Sequence, residues 1–175
     1  MKRCFDLALA ALGLLLFALP TAWIALRCRM ELGSPVLFRQ TRIGYGGKAF
    51  FILKFKTMAH DGSMTPFARG LRRTAMDELP QLINVLRGEM GFVGPRPLIP
   101  TELENLDPAD GKQRLAVRPG LTGLAQVRSE KSPSLPERLR WDLSYVRDCS
   151  FWLDLRILLT SVGVSLRGAW EKNSG

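Results

Sequence analysis

The sequence predicts an α+β fold, predominantly α, and three observations carry that reading. An uncharged apolar run of 20 residues, Leu7 to Leu26, opens the chain. One pair of alternating strands follows it, and most later apolar positions recur at helical spacing. The expected order is an N-terminal re-entrant membrane helix, one β-hairpin, and a set of helices ending in a C-terminal helix suited to a membrane interface.

The apolar run comes first. At about 1.5 Å per residue, a straight helix of that length covers roughly 30 Å, enough to span a bilayer. Lys2 and Arg3 precede it, and Arg27 and Arg29 follow. Positive flanks favour the cytoplasmic side, and here both ends ask for that side. Pro20 lacks the N–H that an unbroken helix needs, so it is the expected membrane-helix break, where the segment turns back. A single-pass anchor is the rival arrangement. Asp6, the length of the run and the lack of a small-x-small site before Arg27 argue against a cleaved signal peptide. The expected division is a re-entrant membrane helix over residues 1–30 and a cytosolic domain over 31–175.

Composition narrows the partners. The chain of 175 residues has 25 basic and 16 acidic side chains, a net charge of +9. Such an excess fits anionic lipid headgroups, a phosphate-bearing substrate, nucleic acid, or simply a solubilising surface. The membrane segment favours lipid and phosphate, and no nucleic-acid recognition motif is visible. The 3 cysteines, Cys4, Cys28 and Cys149, are odd in number and far apart, which argues against a disulfide scaffold. No CxxC pair or Cys/His cluster supports a metal site, and the only histidine, His60, stands in a polar loop.

After the anchor, Pro35 to Gln40 reads as a strand and Ala49 to Thr57 as its partner, joined by a turn at Gly44-Tyr45-Gly46-Gly47. Alternation puts Phe51, Leu53 and Phe55 on one face, and Phe50, Ile52, Lys54 and Lys56 on the other. The two lysines either flank an anion or are merely solvated. Lys48 is followed by Ala49 and the leading glycine is missing, so the glycine turn is not a nucleotide-triphosphate loop. A loop over 59–66 leads into the basic stretch Arg69 to Arg73. Leu79, Leu82, Ile83 and Leu86 fall at helical spacing, with Gly88 closing the element. Pro80 is tolerated only in a first turn, so this helix is expected to start near Asp77. Thr101 to Asp110 reads as a short helix or loop. Pro119-Gly120 occupies the centre of an expected type II turn. An exposed loop over 128–137 precedes a helix from about Pro136 to Asp148. The last element, Phe151 to Trp170, lies in the membrane interface or against the core.

The candidate chemical centre is Asp77-Glu78, set among Arg72, Arg73 and Arg96. Adjacent helical carboxylates point about 100° apart and suit different roles. An ionised Asp can attack phosphorus to form an acyl phosphate, and Glu78 could bind a divalent cation. By spacing alone, capping by Asp77 and a favourable helix dipole at Glu78 explain the pair better.

The chain also resembles the bacterial sugar transferase family, the membrane-bound monotopic phosphoglycosyl transferases, nearly end to end. The likeness rests on Lys2-Arg3-Cys4-Phe5-Asp6, Pro35-Val36-Leu37-Phe38-Arg39-Gln40-Thr41-Arg42-Ile43-Gly44 and Phe51-Ile52-Leu53-Lys54-Phe55-Lys56-Thr57-Met58. It continues through Asp77-Glu78-Leu79-Pro80-Gln81-Leu82-Ile83-Asn84-Val85-Leu86, Val93-Gly94-Pro95-Arg96-Pro97, Arg118 to Val127, and Asp142-Leu143-Ser144-Tyr145-Val146.

That resemblance implies a compact, mainly helical cytosolic domain at the inner (cytoplasmic) membrane of a bacterium. It implies transfer of a sugar phosphate from a UDP-sugar to polyprenyl (undecaprenyl) phosphate, with release of UMP. The step would start assembly of a surface polysaccharide such as an exopolysaccharide, or of a glycoprotein glycan. Asp77 and Glu78 match the family's catalytic dyad, with Asp77 as covalent nucleophile, Mg²⁺ required, and both carboxylates expected at the metal. Arg72 and Arg96 match family positions in the active-site region, and Lys54, Lys56 and Arg118 join them as expected phosphate-binding residues. The expected partners are the UDP-sugar, polyprenyl phosphate and membrane lipids, not nucleic acid; a homo-oligomer is left open. Two departures stand out: Leu19-Pro20 replaces the family's Ser-Pro, and Arg128-Ser129-Glu130 replaces its Gly-Arg. An inactive scaffold of the same fold is the alternative reading.

Overall fold

A computed structural model describes residues 2–59, 61–128 and 134–166. His60, Ser129, Glu130 and Trp170, on which parts of the sequence reading fall, lie outside them. The described residues form a mostly helical α+β structure with two small sheets.

The apolar run forms two helices, α1 (Lys2–Leu16) and α2 (Ala18–Leu32), bent by 63° at Phe17. Neither is long and apolar enough to cross a membrane alone, whereas the bent pair together has the required length and composition. The bend lies three residues ahead of Pro20, which sits in the first turn of α2. Proline has no N–H for the carbonyl four residues back, and its ring crowds that carbonyl, here Leu16. The ladder therefore breaks one turn upstream of the proline.

Much of α1 is docked rather than free. Asp6 is buried and accepts a hydrogen bond from the Phe92 N–H (3.3 Å). The Lys2 ammonium meets Asp154 (2.5 Å), the Tyr145 hydroxyl (2.6 Å) and the Val93 carbonyl (3.0 Å). Ala10 packs with Phe50, Ile52, Val85 and Met90, while Ile24 and Cys28 of α2 pack with Phe55 and Leu71. Towards the bend this burial ends: Leu12, Leu15, Leu16, Phe17 and Leu19 are exposed, as is Trp23 on α2.

Strands β1 (Leu37–Ile43) and β2 (Ala49–Phe55) form the expected antiparallel hairpin, with Leu37 opposite Phe55 and Ile43 opposite Ala49. A 3-10 turn over Tyr45–Gly47 closes it, and Gly46 and Gly47 take the positive φ that glycine allows. Both faces of β2 carry buried residues. Phe50 and Ile52 are buried, as are Leu53 and Phe55, but Phe51 is 60% exposed. The reason is that helices cover both sides: α1 together with α4 (Gln81–Arg87) over Phe50 and Ile52, and α2 together with α3 (Pro66–Thr74) over Phe55. Asn84 of α4 completes the free edge of β2 as a neighbouring strand would. Its Oδ1 accepts from the Leu53 N–H (3.1 Å) and its Nδ2 donates to the Phe51 carbonyl (2.8 Å).

The second sheet pairs β3 (Gly91–Val93) with β4 (Gly120–Thr122) in parallel. The expected type II turn at Pro119-Gly120 does not form. Such a turn needs positive φ at Gly120, which instead lies in β4 without it. Close approach explains the glycines. A Cβ on Gly94 would stand 2.3 Å from the Arg118 carbonyl, and one on Gly120 would stand 2.2 Å from the Gly94 nitrogen. Helices α7 (Leu124–Arg128) and α8 (Leu135–Asp148) pack against Val93 of this pair, while the short α5 (Pro100–Glu104) lies by β1 and α6 (Pro108–Arg114) by α8.

The last helix, α9 (Phe151–Leu166), is turned inside out. It buries Asp154, Ile157 and Ser161 and exposes Phe151, Trp152, Leu159 and Val162. Its buried polar groups are satisfied by Lys2 and Tyr145 at Asp154, and by Thr122 at Ser161 (2.5 Å).

The glycine contact supplies a test of this packing. Gly120→Ala should abolish folding or cost several kcal/mol, because backbone on both sides has to move. Gly163→Ala, where a Cβ meets open space, should be neutral or stabilising by up to ~1 kcal/mol. Thermal unfolding of the detergent-solubilised variants separates the two.

Candidate active site

The acid pair is held between two breaks in the helical backbone. Helix α3 ends at Ala75, a non-glycine residue in the left-handed region (φ 57°), whose N–H donates to the Arg72 carbonyl (3.2 Å). One 3-10 turn, Met76–Glu78, follows. Pro80 then heads α4, which starts at Gln81 rather than near Asp77 as expected. Without an N–H, Pro80 cannot extend helical bonding back through the acid pair. No side chain caps either element, so neither carboxylate serves as a cap. The flanking Met76 and Leu79 pack with Phe55 and Leu71 and pull the turn inward.

Asp77 is consequently buried, 7% exposed. Burial raises its pKa to about 6, and the neighbouring Glu78 charge adds to that rise; Lys54 and Arg72 partly offset it. The Lys54 ammonium pairs with the Glu78 carboxylate at 2.5 Å. Arg72 is oriented through its Nε, which donates to the buried Thr57 hydroxyl (2.9 Å).

These residues line a cavity of about 1360 Å³. Of the sequence-expected residues, Asp77, Glu78, Lys54, Lys56, Arg72 and Arg96 all border it. Lys56 is turned partly aside, donating to the Leu32 carbonyl at the end of α2 (3.1 Å). Arg118 is not brought there. Its Nε donates to the Gly88 carbonyl (3.1 Å) and its guanidinium lies over the Tyr45 ring (5.4 Å), away from the carboxylate pair. Its neighbours in the turn between α4 and β3, and in the hairpin loop, are remote in sequence, which hid this placement.

The cavity also has an apolar side. Leu9, Leu12, Leu16 and Phe17 contribute from the bent pair, and Leu158, Leu159 and Val162 from α9. Two participants escaped the sequence reading. Arg42 lines the cavity, and Thr57 orients Arg72. Both stand inside motifs that carried the family resemblance, which was the only signal for them. Chemically, the arrangement offers a buried carboxylate, a second carboxylate beside it, and fixed cations able to hold phosphoryl oxygens.

Removing the buried charge should stabilise the protein at neutral pH. The folded-state pKa of Asp77 near 6 exceeds its ordinary value of about 3.9. Ionisation therefore opposes folding, with a penalty that begins above pH 4 and is complete above about pH 6. Asp77→Asn should gain on the order of 2 kcal/mol at pH 7.5 and little at pH 4. Unfolding measured against pH checks both ends.

Comparison with known proteins places this site in a family. Residues 1–168 match the family described as bacterial sugar transferase. The chain is 40% identical over 181 residues to the UDP-glucose:undecaprenyl-phosphate glucose-1-phosphate transferase of Caulobacter vibrioides, covering 92% of this chain and 68% of that protein. It is 38% identical to the uncharacterized sugar transferase EpsL of Bacillus subtilis, covering 93% of this chain and 85% of that one. Against the Escherichia coli UDP-glucose:undecaprenyl-phosphate glucose-1-phosphate transferase it is 37% identical over 93% of its own length, but spans 39% of that longer protein. On the family match and these relatives together, the chain belongs to the bacterial sugar transferase family.

Proposed function

We propose that this protein transfers a sugar-1-phosphate from a UDP-sugar to undecaprenyl phosphate, releasing UMP and starting assembly of an exopolysaccharide or related surface glycan. One observation carries the reading: a single cavity joins a buried carboxylate among fixed cations to an apolar wall built by the bent helix pair and α9. A phosphate donor and a lipid phosphate need both surroundings at once.

The chemistry follows from the residues. An Asp77 carboxylate oxygen attacks the phosphorus that bears the sugar. The phosphoanhydride bond breaks, and its electron pair leaves with UMP. An oxygen of undecaprenyl phosphate then attacks the phospho-aspartate, forming the new diphosphate and freeing the carboxylate. Lys54, Arg72 and Arg96 hold the phosphoryl oxygens. The two cavity carboxylates suit Mg²⁺, which commonly takes one or two carboxylates and completes its shell with substrate phosphates and water. Glu78, with Asp77 beside it, would hold that ion, which when bound offsets charge on the phosphates.

Residues 1–30 are read as a re-entrant hairpin in the inner leaflet and residues 31–175 as the catalytic domain on the cytosolic face. Supporting this are the basic flanks, the docked N-terminal end of α1, and the run of exposed apolar residues at the bend, Leu12, Leu15, Leu16, Phe17 and Leu19. The outward Trp152, Leu159 and Val162 support reading α9 as an interfacial helix beside it.

The test is UMP release from a panel of UDP-sugars by detergent-solubilised protein with undecaprenyl phosphate and Mg²⁺. One donor should yield UMP, and Asp77→Asn should lower the rate by at least about 1,000-fold. A donor labelled at the sugar phosphate should label the wild type and not Asp77→Asn when lipid is omitted. Turnover surviving in the variant would remove the covalent mechanism.

A further inference from the structure

Arg42 stands in the cavity without a role in the chemistry above. Along β1, alternation puts Phe38, Gln40 and Arg42 on one face, and the hairpin register sets Lys54 opposite Phe38. Lys54 and Arg42 therefore project from the same face, about 13 Å apart along the ladder at ~3.3 Å per residue. The Arg42 side chain leans back over that gap, since its Nη2 donates to Gln40 Oε1 (2.6 Å). Its Nη1 donates to the carbonyl of Pro97 (2.9 Å), the residue after Arg96. The guanidinium is thus fixed at two points, between the Lys54 end of the site and the Arg96 loop.

Its charge is left unanswered. The Arg42 Nε is buried and has no partner within the protein. Neither Arg42 nor Arg96 forms an ion pair with a carboxylate among the described residues. The acid nearest in influence, Glu102, is already engaged by Arg138 (2.7 Å) and the Ile99 N–H (3.0 Å). Burial, and then the like charge of Arg96, bring the Arg42 pKa down to about 10, so it is still a cation at neutral pH. Two guanidiniums bordering one cavity repel each other unless an anion sits between them.

We propose that Arg42 and Arg96 together bind the phosphate that leaves with the nucleoside, while Lys54 and Arg72 serve the phosphorus attacked by Asp77. The assignment rests on the transfer proposed above. It gives the two phosphates of the donor separate cationic seats, and it places the seat for UMP on the hairpin and the Pro95–Pro97 loop.

The test is calorimetric titration of UMP into the full-length protein in detergent, alongside steady-state kinetics. Arg42→Gln removes the charge but keeps an amide donor for the Pro97 carbonyl. UMP affinity should fall about tenfold, the size expected for one charge-assisted contact, and the KM for the UDP-sugar should rise similarly. The KM for undecaprenyl phosphate and the thermal midpoint should stay as in the wild type, and Arg42→Lys should recover part of the loss. Unchanged UMP affinity in Arg42→Gln, or no UMP binding by the wild type, overturns the proposal. So does a rise in the KM for undecaprenyl phosphate instead, which would assign the seat to the lipid's phosphate. A lowered thermal midpoint with both KM values rising would reduce Arg42 to a structural strut and overturn it as well. If the wild type binds UMP but transfers nothing, the transferase reading falls, while the titration of Arg42→Gln still decides this proposal.

Discussion

Burying the Asp77 carboxylate is the constraint from which much of this structure follows. An ionised group taken out of water needs compensation, and the protein supplies it from separate elements: Lys54 from the hairpin and Arg72 from α3. Both cations are themselves tied, to Glu78 and Thr57, so the compensation is built before substrate arrives. The backbone bears a cost too. Ala75 adopts a left-handed conformation that a residue with a Cβ disfavours by roughly 1–2 kcal/mol. That residue and Pro80 confine the acid pair to one 3-10 turn, and the packing of Met76 and Leu79 holds the turn in place.

The bent helix pair and the site share their supports. Asp6 of α1 accepts from β3, and a Cβ on Gly91 would come within 2.9 Å of its carboxylate. The Lys2 ammonium binds the Val93 carbonyl, one residue before the Gly94-Pro95-Arg96 loop. On the other side of the site, Ala10 packs with Ile52 and Phe50 of the strand that carries Lys54. The elements that set the pose of α1 are thus the same ones that aim Arg96 and Lys54. A hairpin inserted in lipid and docked this way would hold the cavity at a fixed depth, which is what a reaction on a lipid's phosphate requires.

How much of this was legible in the sequence depended on the range of the forces involved. Strand alternation, the Gly88 stop and the helix over Leu135–Asp148 are local effects, and they read directly. The bend at Phe17 was displaced from Pro20 because a proline acts on the carbonyl four residues behind it. The extended Gly120 was missed because its reason lies in Gly94, which is remote in sequence and close in space. Helix α9 left two readings open, since Asp154 and Ser161 face inward only by virtue of Lys2, Tyr145 and Thr122. Asp77, Glu78, Arg72 and Arg96, which border one cavity, stood out by residue type and then by family motif, not by periodicity. Arg118 points away from the cavity, because the same kind of motif fixes a residue's type and leaves its direction to the fold.

The apolar side of the cavity bears on the chemistry as well as on recognition. In the proposed reaction one diphosphate linkage is exchanged for another, so the site need not supply a large driving force. Its harder task is to keep water from the phospho-aspartate, since an acyl phosphate that meets water is lost to hydrolysis. Leu12, Leu16 and Phe17 from the bend, with Leu158, Leu159 and Val162 from α9, give the cavity a wall that a prenyl chain would cover. Covering it would exclude water and strengthen the attraction between the fixed cations and the phosphates. The second substrate would thereby help protect the intermediate it consumes. That dependence offers a physical reason for placing a buried, charged site directly against an apolar, bent helix pair.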